Sequence, residues 1–337
     1  MDPELKFYNF GIKKPLPKGE GKTVVWNLPY RLALGSTLTE GTTTPASGGG
    51  NALSTYKVSA IIKQYGGYTA ITDLVDLTSI TDVMKMAAQR LGAQAGETIE
   101  RVIVAECFFT HVATTGGSPH HLVKTSAEVT DAWTAISGVS VVALNGGITN
   151  TVSSTNVLAV SDIRSAAFKL RKLNVPPYEG NNYVAIMPTE VAEDIAGDST
   201  FINFHQYVEK GIDALYNGEI GKIYGVRIVE TTNGLVCRGS NSGSTASTVA
   251  YGTVIMGKGF YGVTELDGGI KTIISQGADK GDVLNQVTTY GWKANFIAKL
   301  LNVSAGLVFW TGSGDTSSIA TESAGGAYTF GVPESYL

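Results

Sequence analysis

Apolar and polar residues alternate over Tyr56–Tyr65, so that Tyr56, Val58, Ala60 and Ile62 share one side of an extended chain. Lys22–Leu32 has the β-branched and aromatic content of a second strand. Between them, "GSTLTEGTTTPASGGGNALS" carries the Gly, Pro, Ser and Asn of a polar turn region. The two runs read as the arms of one long hairpin. Each arm of about ten residues reaches ~33 Å at about 3.3 Å per residue. A two-stranded ribbon of that length does not support itself in water. No neighbouring segment offers an obvious partner sheet, so the ribbon is expected to lie on another subunit.

The period then changes. "ITDLVDL" fits either a strand or a helix, but from about Ser79 the apolar positions Ile80, Met84, Ala88, Leu91, Ala95, Ile99 and Val102 recur every three or four residues. Thr78 or Ser79 can cap the helix start, Asp82 suits its first turn, and Glu97 and Arg101 form an i,i+4 pair. A helix running to Phe108 has roughly 30 residues and is ~45 Å long. Gly92 and Gly96 each cost about 1 kcal/mol relative to Ala inside it, which points to a bend or a close approach. So long a helix with one narrow apolar stripe reads as a strut.

Residues 110–160 are rich in Thr, Gly and Ser, with short strands such as "VSVVAL". A second helix is expected from Ser161, as cap, to Leu173, stopped by "NVPP". "NNYVAIMP" reads as a buried strand, followed by the helical "TEVAEDIA" and a helical run over Phe201–Leu215. "KIYGVRIVET", "VAYGTVIMG", "GFYGVTEL" and "GGIKTIIS" read as strands, and "DVLNQVTTYGWKANFIAKLLN" as a longer strand-rich stretch. "RGSNSGSTAST" is a surface insertion, and residues 311–337 form a Gly/Ser-rich tail. The fold class is therefore α+β.

Composition sharpens this picture. Charged residues make up 16% of the 337, against roughly 25% in an average soluble domain, and Gly is 41, above the usual ~7%. A surface so poor in charge is weakly defended against association, so much of it is expected to be covered by partners. The net charge of -4 supplies no overall basic field for nucleic acid. Cys107 and Cys237 form no disulfide framework, which fits synthesis in a reducing cytoplasm. No apolar run of about 18 residues predicts a membrane span, and "MDPELKFYNF" has no signal-peptide architecture.

Candidate chemistry fails on spacing. "LPKGEGKT" ends like a phosphate-binding loop, but Leu16 stands where the first glycine is needed, and the following "TVVWNLPYR" is a strand rather than a helix. His111, His120, His121 and His205, with Glu106 and Cys107, match no zinc pattern. Glu190, Glu193 and Asp194 fall in the first turns of a helix, where acids complement the dipole. Arg164, Lys169, Arg171 and Lys172 sit late in a helix, where bases do the same, although they could also meet a phosphate backbone. Trp26, Tyr65 and Trp292 read as core or interface fillers. No catalytic, metal or cofactor site is expected, and the chain is not read as an enzyme.

The order of these elements, an arm, a long hairpin, a strut helix, an α+β unit and a returning strand, resembles the major capsid proteins of tailed bacteriophages. That fold is named after phage Hong Kong 97. Within it, the chain is most similar to the branch named after coliphage N-four. The segments carrying the resemblance are "KKPLPKGEGKTVVW", "LTEGTTTPA", "NVPPYEGNNYVAIMPTEVAEDI", "GEIGKIYGVRIVETTN" and "GDVLNQVTTYGWKANFIAKLLN".

The resemblance implies an N-terminal arm (1–21), an extended loop (22–68), a peripheral domain (69–182) built on a spine helix at about 79–108, an axial domain (183–281), return strands of the peripheral domain (282–310) and a tail (311–337). "LPKGEGKT" becomes the hinge into the extended loop, with Gly19 and Gly21 allowing the turn. Lys22, Trp26, Arg31, Leu38, Glu40, Pro45, Lys57 and Lys63 are the expected contacts between subunits. Some relatives cross-link this loop through a Lys–Asn isopeptide bond. Residues 33–54 here contain no lysine, so a non-covalent shell is expected. The arm is shorter than the resemblance implies, as proteolytic maturation or a truncated chain would leave it.

The implied function is self-assembly into an icosahedral shell of hexamers and pentamers around double-stranded DNA. Portal, scaffold or decoration proteins and nonspecifically held DNA are the further partners, and the location is the virion after synthesis in the host cytoplasm. An encapsulin-like compartment shell and a cytoplasmic enzyme or ligand-binding domain are the alternatives.

Overall fold

The computed structural model describes residues 5–15, 21–30, 32, 34, 53–79, 82–109, 121–125, 128–131, 155–206, 219–238, 249–265, 270–275 and 286–314. The expected hairpin tip, "VSVVAL", the 239–248 insertion, residues 207–215 of the expected helical run and most of the tail fall outside these.

Continuous apolar runs form the centre of the largest sheet. Strand β7 (Tyr183–Pro188) is buried at all six positions, and so is β16 (Gly306–Thr311). Between them runs β11 (Val249–Met256), antiparallel to both. On the β16 side, β5 (His121–Thr125) is parallel to β16, and β6 (Glu128–Asp131) closes that edge. On the other side, β9 (Val226–Thr231) is parallel to β7 and pairs with β8 (Glu219–Ile223), while β10 (Leu235–Arg238) also pairs with β11. A strand flanked on both faces must be apolar throughout, which explains why these runs do not alternate. β16 thus joins the large sheet rather than the return strands with which its sequence position groups it. "KIYGVRIVET" is not one strand either. Tyr224 and Gly225, with φ of 52° and 78°, turn it into the β8–β9 hairpin.

Helix α4 (Val160–Lys172) lays Val160, Ile163, Ala166, Ala167 and Leu170 into the core and packs against β11. Its cap is not Ser161. The helix starts one residue earlier, and the Asp162 carboxylate reaches back to accept the Ala159 N–H at 3.0 Å. Asp198 also serves this end, accepting the Val160 N–H at 3.2 Å. The same carboxylate accepts the Thr200 N–H at 2.8 Å and caps α6 (Ser199–Gln206), which follows α5 (Thr189–Ala196). Burial pushes the Asp198 carboxyl upward, but these N–H bonds outweigh it and hold it below the usual range. Its contribution is therefore present above the ordinary carboxyl pKa and is lost as pH falls through the lowered one. Asp198→Ala uncaps two helices at once and is expected to cost about 1–2 kcal/mol, read from urea unfolding at neutral pH. A loss below a few tenths of a kcal/mol would contradict the double cap.

The ambiguous "ITDLVDL" is both elements in turn: β4 (Lys63–Thr72) ends where the short α2 (Asp73–Thr78) begins. The spine helix is then α3 (Val83–Phe109), with 27 residues and a length of ~40 Å. Its cap is Asp82, whose carboxylate accepts the Lys85 N–H at 3.0 Å, and not Thr78 or Ser79. The Glu97–Arg101 ion pair forms as expected. Among the described residues, a side chain at Gly92 would meet nothing within 4 Å. The N-terminal half of α3 is largely exposed. By Val102–Ala105 the helix is buried on all sides, between α1 (Lys6–Phe10), β14 (Val287–Phe296) and β15 (Ala298–Leu300).

Two smaller sheets complete the body. β4 pairs along its whole length with β14, from Lys63 opposite Phe296 to Thr72 opposite Val287, and β13 (Ile270–Ser275) is the outer strand. β12 (Tyr261–Thr264) pairs with β15 and, in parallel, with β1 (Ile12–Lys14) of the N-terminal segment.

Candidate assembly surfaces

The hairpin consists of β2 (Thr23–Pro29) and β3 (Thr55–Ile61), antiparallel, with Trp26 opposite Val58 and Val24 opposite Ala60. Gly21 enters it with φ of +93°, a conformation that glycine adopts without strain. The return arm divides at Ile62: its outer part pairs with β2 and its inner part is β4, bound to β14. No neighbouring segment supplies a partner sheet, as expected, but the inner part of the return arm finds one within its own chain. Strand β14, more than 200 residues away, is that partner.

The base of the ribbon also lies on its own body. Val24, Trp26, Val58 and Ala60 are buried together with Leu301, and Ile12, Leu28, Ile62 and Ile297 pack around them. The Trp26 ring sits over Gly262 of β12, and Lys14 of β1 donates to the Val25 carbonyl. The same apolar face does not stop where this cover stops. Tyr30 and Tyr56 continue it outward, with ring centroids 6.2 Å apart, yet they are 56% and 47% exposed. Leu32, Leu34 and Leu53 are further exposed apolar side chains beyond the covered part.

The expected contact residues divide accordingly. Trp26 is only 4% exposed within its own chain, so it is a core group and not an outward contact. Lys22 and Lys57 are exposed on the ribbon, whereas Lys63 is half-buried in β4. Arg31, Leu38, Glu40 and Pro45 lie outside the described residues. Tyr30 and Tyr56 were not among the expected contacts, although the alternation that places Val58 and Ala60 inward assigns Tyr56 to the same face.

A second open apolar area surrounds α2 and the start of α3. Leu74, Val75, Leu77 and Met86 are exposed there, beside a groove of about 620 Å³ lined by Ile71, Thr72, Val75, Val83, Met86 and Arg90. Exposed apolar residues grouped in this way mark interaction surfaces more often than isolated ones do.

Several of the residues weighed for chemistry make contacts within the fold. Arg171 donates to the Tyr224 carbonyl at 2.7 Å, locking the β8–β9 turn, and its guanidinium lies 5.5 Å from the Phe168 ring centroid. Arg164 lies over the Tyr224 ring at 5.9 Å. Glu190 accepts from the Thr189 hydroxyl, and Asp194 accepts the Gly314 N–H through both oxygens at 3.2 Å. Tyr65 and Trp292 are buried, and the Trp292 indole donates to Gln94 at 3.2 Å. His111 and His120 lie outside the described residues. Among the described residues, no three His, Cys, Asp or Glu side chains group as metal ligands, and no helix is long and apolar enough to cross a membrane.

Solved phage capsids share this fold. The capsid of Ralstonia phage GP4 superposes with a TM-score of 0.66 at 16% identity, covering 94% of each chain. The cyanophage Pam1 capsid gives 0.60 at 16% identity, over 90% of this chain and 89% of that one. The capsid of cyanophage P-SCSP1u gives 0.60 at 17% identity, over 93% and 90%. Identities this low speak for the fold, which is the α+β capsid fold of the Hong Kong 97 type. No curated protein sequence matches the chain. The family model described as "Phage capsid protein" matches residues 55–307, well over half of the sequence, and the chain belongs to the phage capsid protein family.

Proposed function

We propose that this chain is the major capsid protein of a tailed phage and closes into an icosahedral shell of hexamers and pentamers around double-stranded DNA. The observation that carries this reading is the apolar face of the hairpin, which runs past the end of its own body at Tyr30 and Tyr56. A neighbouring copy is the cover that an assembling protein supplies. Specific association needs interfaces of roughly 1,600 Å², and many such contacts per subunit make a closed shell stable even when each is modest.

The finer parts of the reading rest on sequence. The segments quoted above support the N-four branch. A shell without isopeptide links follows from the absence of lysine at residues 33–54. Packaged DNA meets the inner face through nonspecific, salt-sensitive phosphate contacts, and a portal with scaffold or decoration proteins completes the particle. The role is structural and the chain carries no reaction. It is made in the host cytoplasm and resides in the virion.

Negative-stain electron microscopy beside light scattering tests the reading. Closed shells, or rings of five and six subunits, are expected from the purified protein with its scaffold partner. A particle of one or two 35.4 kDa chains that never grows, even under crowding, overturns it. Particles that enclose a protein cargo and no DNA would instead identify a compartment shell.

A further inference from the structure

The N-terminal segment is fastened over a buried carboxylate. Phe7 is 1% exposed, the Tyr261 hydroxyl donates to the Phe7 carbonyl, and the Tyr178 hydroxyl donates to the Phe10 carbonyl at 2.8 Å. Strand β1 then pairs with β12, and Gly11 lies so close to Val263 that an added methyl would fall 2.9 Å from it. Beneath this segment, Glu100 of α3 has no exposed surface. Its Oε2 accepts the Phe7 N–H and its Oε1 accepts the Tyr8 N–H, each at 3.0 Å. Among the described residues its hydrogen-bond partners are these two uncharged N–H groups, and a carboxylate so placed is an unusual choice for a core, because a neutral side chain would avoid the desolvation cost.

We propose that the N-terminal segment is a proton-linked latch: its docking over α3 takes up a proton at Glu100, and its release gives that proton back. Undocking opens Glu100 to water and returns it to an ordinary carboxyl. Docking buries it, and burial outweighs the two N–H bonds, pushing its pKa up to about 7. A raised pKa in the docked state means that the proton-linked part of docking is fully present below the ordinary carboxyl range. It is lost progressively as pH rises to about 7, and it changes no further above that. The latch therefore tightens on acidification and loosens toward neutrality.

The neighbouring groups leave this transition to Glu100. Cys107, two turns along α3, is pushed up by burial and then by Glu106 and Glu100. Tyr261 from β12 is pushed up by burial and then by Cys107, Tyr178 and Glu100, and Tyr178, from the loop after α4, by burial and then by Cys107. All three stay neutral from pH 4 to 8. Glu106 is engaged by Lys299 at 3.0 Å and by the Leu300 N–H, and Glu97 pairs with Arg101. From the segment itself, Lys13 lies 4.7 Å from the Tyr8 ring centroid.

Hydrogen exchange of the peptide covering residues 5–15, measured on the full chain from pH 5 to pH 8, tests the latch. Each rate is divided by the intrinsic rate of an unstructured peptide at the same pH. Protection is expected to fall by roughly tenfold to a hundredfold across that range, most of it below pH 7. Glu100→Gln keeps the shape without the titration, so its profile should be flat. A wild-type profile that is flat, or that rises with pH because the ionised carboxylate holds the N–H groups better, overturns the proposal. The wild-type profile decides alone if the variant does not fold.

Discussion

Replacing both Tyr30 and Tyr56 with serine is expected to leave a folded subunit that no longer closes into shells. The two rings face each other with centroids 6.2 Å apart and are 56% and 47% exposed. Removing them therefore costs the isolated subunit little, and its unfolding free energy should change by no more than a few tenths of a kcal/mol, as surface substitutions do. Assembly is a different matter. Aromatic groups that become fully covered at an interface each contribute roughly 2 kcal/mol or more. Two per subunit amount to ~4 kcal/mol per contact, or about a thousandfold in association at each one. Because a shell repeats every contact, the concentration at which particles appear by light scattering should rise at least a hundredfold, or no particles should form. Lys57→Ala, exposed on the same ribbon, should change it little, since a solvated rim charge contributes ~0–1 kcal/mol. Shells forming from the double variant at the wild-type concentration would mean that the outboard face touches no neighbour.

The choice of tyrosines over lysines shows where sequence reading stops. Alternation along β3 correctly places Val58 and Ala60 inward, and it places Tyr56 on the same side. What it does not contain is the point at which the body ends beneath the ribbon. That point is set by Leu301, Ile297 and Ile12, which lie far away in the chain. The division of the return arm at Ile62 has the same origin: residues 63–72 look extended whichever strand they pair with, and the partner is β14. Local signals fared better where the physics is local. The long helix α3 and the buried run of β7 follow from the spacing of apolar residues.

Two misreadings have identifiable causes. Thr78, Ser79 and Asp82 are all competent caps, and the break between α2 and α3 selects Asp82. Tyr224 at positive φ is locally unfavourable, so only Gly225 signals the turn, and the Arg171 bond that offsets the strain is invisible in sequence. Glu100 was legible in part. It shares a helix face with Ile103 and Cys107, whereas Glu97 is matched to Arg101, and an acid on an apolar stripe is the kind of local conflict that marks a functional site.

Trp26 joins the fold to the assembly, and truncating it should be the most damaging single change in the hairpin. The ring is 4% exposed and is held between the ribbon and β12. A methyl on Gly262 would lie 2.7 Å from its Nε1, 2.8 Å from its Cε2 and 3.1 Å from a methyl of Leu301, so the ring lies directly on the backbone of β12. Trp26→Ala leaves a cavity there and is expected to cost about 3–5 kcal/mol in urea unfolding. Trp26→Phe should cost less, near 1–2 kcal/mol. It keeps most of the apolar contact and removes a buried indole N–H that has no partner among the described residues, which offsets part of the lost packing. Gly262→Ala forces the ring away and should cost ~1–3 kcal/mol in the wild-type chain. In the Trp26→Ala background the two closest contacts of that methyl are gone and the one to Leu301 remains, so the pair should be non-additive by about 1 kcal/mol or more. Additive losses would place the ring away from Gly262. Because Val24, Val58 and Ala60 share the pocket, the hairpin that loses Trp26 also loses its fixed departure angle from the body. Tyr30 and Tyr56 are then carried on a loosened lever, and Trp26→Ala should impair assembly even under conditions in which the subunit remains folded.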